Sequence, residues 1–245
     1  MRRVLITGGA KGIGRAIAAR FVALGDRVVV TGRDEAALTA AAEALGCDWR
    51  RLAVDDEASV AAGFAGLDDL EVCVLNAGVA GSKPIEKQDL AGFERIMEVN
   101  ATGVFLGMRA ALPLLRARGR GRVIVVASTA SLRGVPYTGA YTASKHAALG
   151  LVRVLASEVA GTGITVNAVC PTFVDTDMAA RSVANVAAKT GKSEDEARGT
   201  LERMSPLGRF VRPDEVAAAV EFLASEPAAC INGQALVLDG GGLQH

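Results

Sequence analysis

Aromatic residues are scarce in this 245-residue chain, 4% of the total, with one tryptophan and two tyrosines. Histidine is scarcer still, at two, and the four cysteines, Cys47, Cys73, Cys170 and Cys230, are widely scattered. There is no C-x-x-C and no neighbouring histidine pair. This argues against a structural zinc site or a disulfide framework, and a reducing cytoplasm is the expected compartment. An excess of one charge is lacking too, since 27 basic residues balance 27 acidic ones. Such a balance offers no general attraction for nucleic acid or an anionic membrane surface. No run approaches the ~18 apolar residues of a membrane span. The start, "MRRVLITGGA", has too short an apolar stretch for a secretory signal. The expectation is a soluble, cytoplasmic protein with no metal, no nucleic-acid partner and no membrane association.

What the chain does have is apolar bulk, half of all residues, enough for one sizeable core. Short β-branched runs at 3–7, 27–32, 50–55, 71–76, 122–128, 164–169 and 235–239 read as strands. They are nearly continuously apolar rather than alternating, the pattern of strands covered on both faces. Helical stretches lie between them, around 13–24, 34–45, 57–66, 89–118, 139–160 and 213–224. This alternation implies an α/β fold, a Rossmann-like doubly wound parallel sheet of about seven strands with helices on both faces. No linker or repeat divides it, so 1–245 is expected to form a single domain. Between Val169 and Ala235 no strand is expected. Ser193 and Glu196 form a capping-box signature there, and 176–205 is expected to be a mobile substrate lid.

"LITGGAKGIGRAIA" places Gly8, Gly12 and Gly14 after the first strand and into the first helix. Glycines at such a turn let backbone approach a pyrophosphate, which then sits on the helix N-terminus. The spacing is G-x-x-x-G-x-G rather than G-x-G-x-x-G. At the tip of the second strand comes Arg33 instead of an acid, with Lys11 in the glycine turn facing the same region. A cation there suits a 2′-phosphate and an acid suits a ribose hydroxyl, so NADP(H) is expected over NAD(H). Asp34 and Glu35 fit the N-cap and first turn of the next helix.

Both tyrosines fall in "VVASTASLRGVPYTGAYTASKHAALG". Tyr141 and Lys145 share a helical face, where an ammonium is expected to lower the phenol's pKa and fit it for proton transfer. Ser128 ends the fifth strand, at the edge where ligands bind such sheets. It is placed to hydrogen-bond a carbonyl oxygen, though Ser131 and Ser144 are near as well. His146 points about 100° away from Lys145 and is read as a packing or interface residue. His245, at the chain end, is not expected to be catalytic.

These residues together resemble the short-chain dehydrogenase/reductase family in its compact single-domain form, from Thr7–Gly14 to Asp239–Gly241. T-G-x-x-x-G-x-G matches Thr7, Gly8, Gly12 and Gly14; N-A-G matches Asn76, Ala77 and Gly78; Y-x-x-x-K matches Tyr141 and Lys145. Ser128, thirteen before Tyr141, matches the family's serine, and Asn100 in "MEVNATGVF" its asparagine. The resemblance implies an NAD(P)-dependent enzyme acting on CH–OH groups, with Tyr141 as general acid/base and Ser128 polarising the carbonyl. It implies that Lys145 lowers the tyrosine pKa and binds the ribose, and that Asn100 anchors a water linking Lys145 to solvent. It further places Thr7, Lys11, Ile13, Arg33, Asp55, Asn76, Ala77, Gly78, Pro171, Val174 and Thr176 around the dinucleotide, with Asp55 near the adenine and Asn76 steadying the central strands. Two positions depart from the family pattern, Leu75 where many members have asparagine and Thr172 where glycine is usual.

Among relatives, the chain is most similar to reductases of 3-oxoacyl thioesters, including acyl-carrier-protein reductases and polyketide ketoreductases. That likeness implies a small carbonyl, alcohol or acyl-thioester substrate, an acyl carrier protein as a candidate partner, and a homotetramer. An oxidative dehydrogenase of a 3-hydroxyacyl-CoA or cyclic secondary alcohol is the alternative; a non-catalytic dinucleotide sensor is remote. Candidate pocket walls are Ser131, Leu132, Val135, Tyr137, Thr172, Phe173 and Met178. The arginines of "LRARGRGRV" (Leu115–Val123) are either a docking patch for carrier or CoA phosphates or a solvated helix end.

Overall fold

The computed structural model describes residues 1–244; His245 lies outside them. Seven strands form one parallel sheet: β1 (Arg3–Thr7), β2 (Arg27–Gly32), β3 (Asp48–Arg51), β4 (Leu70–Leu75), β5 (Gly121–Val126), β6 (Ile164–Pro171) and β7 (Ala235–Leu238). Their order is β3-β2-β1-β4-β5-β6-β7. The chain runs outward from β1 to β3, returns to pair β4 on the other side of β1, and then runs outward again. The reversal between β1 and β4 opens a crevice at the carboxyl ends of those strands, the place where open α/β sheets bind ligands.

Alternate residues of each strand feed two cores. Val4, Ile6, Val28, Val30, Val72 and Val74 pack on one face with Ile17 and Phe21 of α1 (Gly12–Ala23), Leu38 of α2 (Glu35–Leu45) and Val220 of α9 (Pro213–Ala224). Leu5, Val29, Cys73, Val123 and Val125 pack on the other. There they meet α3 (Glu57–Phe64), α5 (Gly103–Arg118) and α6 (Gly139–Glu158). Each fully buried Leu, Ile, Val or Phe contributes roughly 1.5–3 kcal/mol, so burial on both faces decides which runs become central strands. A smaller third cluster joins α7 (Asp177–Thr190) and α8 (Glu194–Glu202) through Ala179, Val183, Ala197, Leu201 and Phe210.

Local caps follow the sequence signals. Asp34 accepts from Ala37 N–H at 3.1 Å, and Ser193 and Glu196 complete a reciprocal capping box. Two expectations need correction. The third strand is Asp48–Arg51 rather than 50–55. It is an exposed edge strand, so its residues carry no apolar signature. The apolar Leu52 belongs to the core beyond the last hydrogen bond, from its N–H to Gly32 O at 2.7 Å. The helix expected over 89–118 is α4 (Leu90–Met97), a π turn at Glu98–Thr102, and then α5. The interruption is centred on Asn100.

Candidate active site

At the switch point, the ends of β1 and β4 are hooked together by side chains. The Thr7 hydroxyl accepts from Asn76 N–H at 2.9 Å and Ala77 N–H at 3.0 Å. Asn76 Nδ2 donates back to the carbonyls of Thr7 at 2.9 Å and Gly8 at 3.1 Å. Both side chains, expected around the dinucleotide, are occupied with each other, so what they supply is the position of the turn. Gly8 has φ 66°, a region disfavoured for side chains. A Cβ on Gly14 would lie 2.3 Å from Gly8 O, so α1 starts tightly against the turn. Lys11, the N-cap, makes no side-chain capping bond, which leaves the start of α1 without a side-chain cap. Free N–H groups at a helix start suit a pyrophosphate. Thr176 lies across this cradle, its methyl 3.3 Å from where a Gly12 Cβ would be, and Ile13 is half-buried beside it.

Arg33, at the tip of β2, is exposed and has no acidic ion-pair partner among the described residues. Its acidic neighbours are engaged elsewhere: Asp34 caps α2, and Glu35 pairs with Arg51 at 3.6 Å. Asp55 is mostly buried and ion-paired with Arg95 of α4, a residue that sequence reasoning missed. Burial works to raise the Asp55 pKa. The Arg95 hydrogen bond, its own backbone and the charges of Arg95 and Arg33 outweigh this and hold it below the usual carboxylate range.

Between β5 and β6 the expected residues converge. Ser128 follows β5, is 9% exposed and accepts from Ala130 N–H at 3.1 Å. Its hydroxyl lies beside the Tyr141 phenol and acts to lower that group's pKa. Lys145, one helical turn after Tyr141, donates from Nζ to Val126 O at 2.9 Å and lies 5.7 Å from the Tyr141 ring centroid. The expected fall in the Tyr141 pKa does not occur. Burial raises it, outweighing the opposing effect of the Ser128 hydroxyl. Burial likewise pushes Lys145 down to about 8, and the cost of a charge in a dry site dominates both shifts. Cys170, also unforeseen, lies in the same cluster; burial lifts its thiol to about 11, so it stays a neutral packing group.

Asn100 is 1% exposed in the π turn. Its Oδ1 accepts from Val79 N–H at 2.8 Å, while Nδ2 donates to Val79 O at 2.8 Å and Ser144 Oγ at 3.0 Å. Ser144 Oγ in turn donates to Tyr141 O at 2.7 Å. Both Nδ2 hydrogens are engaged, so the side chain clips the β4 exit to the Tyr141 helix. The π turn is therefore a built feature at a polar site. A Cβ on Gly78 would lie 3.2 Å from Asn100 Oδ1 and 3.6 Å from Lys145 Nζ, so the chain after β4 touches both groups. His146 is exposed, its Nδ1 2.9 Å from Thr142 O.

The candidate pocket walls divide. Leu132 packs on the main core, Val135 and Met178 are half-buried, and Tyr137 is 65% exposed at φ 65°. Half-buried Thr172 follows buried Pro171 and donates its N–H to Leu238 O at 3.2 Å. Val174 is buried, bridged to Val211. Phe173, expected as a wall, stacks on Phe210 with centroids 5.8 Å apart and belongs to the small α7–α8 core. Ser131 is 3% exposed with an unpartnered hydroxyl. We expect Ser128→Ala to lose about a hundredfold or more in turnover and Ser131→Ala far less; equal losses in steady-state kinetics would remove the assignment. The arginines of 116–122 do not meet this site. Arg118 and Arg120 pair with Glu71 at 2.8 and 3.2 Å, and Arg122 with Glu226 at 3.2 Å. They lie at the helix end and strand start before β5, a strand length of roughly 20 Å from Ser128, and exposed Arg116 has no ion pair among the described residues.

A protein-family model described as "Enoyl-(Acyl carrier protein) reductase" matches residues 8–242. The chain is 39% identical over 248 residues to a granaticin polyketide synthase putative ketoacyl reductase of Streptomyces violaceoruber, covering 97% of this chain and 91% of that protein. It is 36% identical over 249 residues to cis-4-hydroxycyclohexanecarboxylate dehydrogenase of Sinomonas cyclohexanicum, covering 98% and 96% respectively. Among solved structures, a variant of actinorhodin polyketide ketoreductase with NADPH superposes with a TM-score of 0.96 at 34% identity, covering 100% of this chain and 98% of that one.

Proposed function

Because the chain belongs to the short-chain dehydrogenase/reductase family, we propose that it is an NADP(H)-dependent reductase whose substrate is a 3-oxoacyl thioester or a similar ketone. The convergence of Ser128, Tyr141 and Lys145 beside the Gly8–Gly14 turn carries this reading. The uncapped start of α1 fits a pyrophosphate, and unpaired Lys11 and Arg33 fit a 2′-phosphate. When bound, the nicotinamide supplies hydride to the carbonyl carbon. Ser128 holds the carbonyl oxygen, and Tyr141 gives that oxygen its phenolic proton. Lys145, held at Val126 O, would bind the ribose hydroxyls of the cofactor and steady the phenolate that Tyr141 leaves behind. Asn100 and Ser144 fix the helix that carries both. Half-buried Leu132, Val135 and Met178 offer apolar walls to an acyl chain, and α7–α8, with its own small core, suits a lid over 176–205.

Arg33→Asp should shift preference from NADPH toward NADH by about ten- to a hundredfold, the scale of losing a charge-assisted hydrogen bond. The reading as a whole is tested by following cofactor absorbance with both nucleotides against 3-oxoacyl-CoAs and cyclic ketones. Turnover with NADPH and a 3-oxoacyl-CoA supports it. Activity only with NADH overturns the cofactor assignment, and activity only on cyclic substrates favours the second reading, an alcohol dehydrogenase. The Sinomonas relative favours that second reading.

An apolar groove between α5 and α6, lined by Ala101, Phe105, Ala147, Gly150, Leu151 and Val154, leaves Phe105 45% and Val154 57% exposed. Small residues beside protruding ones suit a second copy of the same two helices, consistent with a homo-oligomer built up to a tetramer. Four unpaired cysteines suit a reducing cytoplasm. No described helix is long and apolar enough to cross a membrane. The single-domain reading rests on the sheet running unbroken through the described chain.

A further inference from the structure

Three segments meet around Asp55, and two of them come from the helix that carries Asn100. The turn itself is fixed from within: Asp56 caps α3 through Ser59 N–H at 2.7 Å, and Ala53 N–H donates to Ser59 Oγ at 3.0 Å. From outside, α5 presses on it at Gly103, where a Cβ would stand 2.9 Å from Val54 Cγ2 and 3.3 Å from Val54 O. About two turns earlier, on α4, Arg95 pairs with the Asp55 carboxylate. The next acid, Glu98, is 3.9 Å from the same Arg95 nitrogen, so Asp55 is the main partner. The Asp55 side chain is 17% exposed, a setting in which an uncompensated carboxylate would seek another cation. Arg33 is the other cation whose charge acts on Asp55, and it has no acidic ion-pair partner of its own among the described residues.

We propose that Arg95 is a positioning residue for cofactor choice: by holding the Asp55 carboxylate from the α4 side, it leaves Arg33 free to take the 2′-phosphate of NADP(H). The inference rests on the NADP(H) reading above. Arg33 leaves β2 directly after Gly32, which pairs with Arg51 of β3 and accepts from Leu52 N–H, so it stands at the strand end beside the Asp55 turn. Without Arg95 it is the cation there with no acid of its own among the described residues, and a guanidinium drawn onto a carboxylate is lost to a phosphate. The loss therefore falls on the phosphorylated cofactor and spares the other. A surface ion pair that only stabilised the fold would affect both alike.

The test is fluorescence titration of the whole protein with NADPH and NADH, and competition by adenosine 2′,5′-bisphosphate against ADP. Arg95→Gln should weaken NADPH and the bisphosphate about tenfold, the usual scale of coupling between neighbouring groups. NADH and ADP should bind nearly as before, and turnover at saturating NADPH should be kept. Arg95→Lys should restore most of the preference. In Arg95→Gln/Asp55→Asn, removing the carboxylate should return Arg33 and recover the preference for NADPH over NADH relative to Arg95→Gln, a ratio from which any adenine contact of Asp55, common to both cofactors, cancels. Equal weakening of both cofactors, no weakening, or no recovery in the double variant overturns the role of Arg95. Wild-type protein that binds NADPH no better than NADH overturns the parent reading instead, and with it this one.

Discussion

Tyr141→Phe is expected to lose about a hundred- to ten-thousandfold in kcat while folding and binding cofactor like the wild type. The substitution removes one oxygen from a partly buried ring. The lost group is the phenolic proton donor beside Ser128, and a positioned general acid is worth this much, about 3–5 kcal/mol of barrier. Because burial raises the Tyr141 pKa above its ordinary value of 10, the phenol is protonated throughout the neutral range. Carbonyl reduction, which needs the proton, is therefore favoured near pH 7. Alcohol oxidation needs the phenolate and should climb with pH over the same range. Stopped assays in both directions check this, and a Tyr141→Phe variant with more than a tenth of wild-type turnover would move the acid elsewhere. Tyr137 is no substitute, since it lies in the approach loop with its ring largely in solvent.

Lys145→Met is the second large expectation, and it divides activity from stability. Turnover should fall about a hundredfold or more, because the cation that steadies the phenolate is gone. Oxidation, which depends on that phenolate, should fall further than reduction. In the wild type, kcat/KM for the cofactor should decline as pH rises past about 8, where Lys145 gives up its proton. Stability runs the other way. Lys145 is held at about 8 in the fold against an ordinary 10.5, so between these values the unfolded chain holds more protons and the folded state gains stability as pH rises. Below about 8 the buried ammonium is a standing cost. The methionine variant should show a Tm at pH 7 no lower than wild type, and the difference should shrink between about 8 and 10.5. Calorimetry across that range decides it; a variant markedly less stable at pH 7 would mean that the bond from Lys145 to Val126 O outweighs the buried charge.

Central strands, helix caps and the tyrosine–lysine spacing were legible because each is a local signal. Apolar runs mark doubly covered strands, Asp34 and Ser193 mark helix starts, and four residues make one helical turn. Edge strand β3 was misplaced by the same rule, since Asp48–Arg51 is exposed and carries no apolar run. Arg95 and Cys170 were invisible because their meaning is a partner forty residues or a sheet away. Nothing local distinguishes an arginine that grips Asp55 from one that meets water. The direction of the Tyr141 shift was misjudged for a related reason: spacing shows that a lysine is adjacent, but only the packed structure shows how dry the site is. The π turn is the intermediate case. "MEVNATG" reads as continuous helix, and the break appears only once Asn100 finds both backbone groups of Val79.

The hook between Thr7 and Asn76 also sets the order in which this protein can come to life. It joins groups 69 residues apart in the chain, at the seam between the two outward-running halves of the sheet. Closing a loop of that length is an entropic debt incurred before any reward, and parallel pairing of this kind makes for slow folding. The first half, β1 to β3, can collapse with its helices early, but the glycine turn it carries has no fixed shape until β4 arrives to receive Thr7. The cofactor cradle is thus a late product of folding, and a nascent or partly folded chain has no competent place to capture its nucleotide.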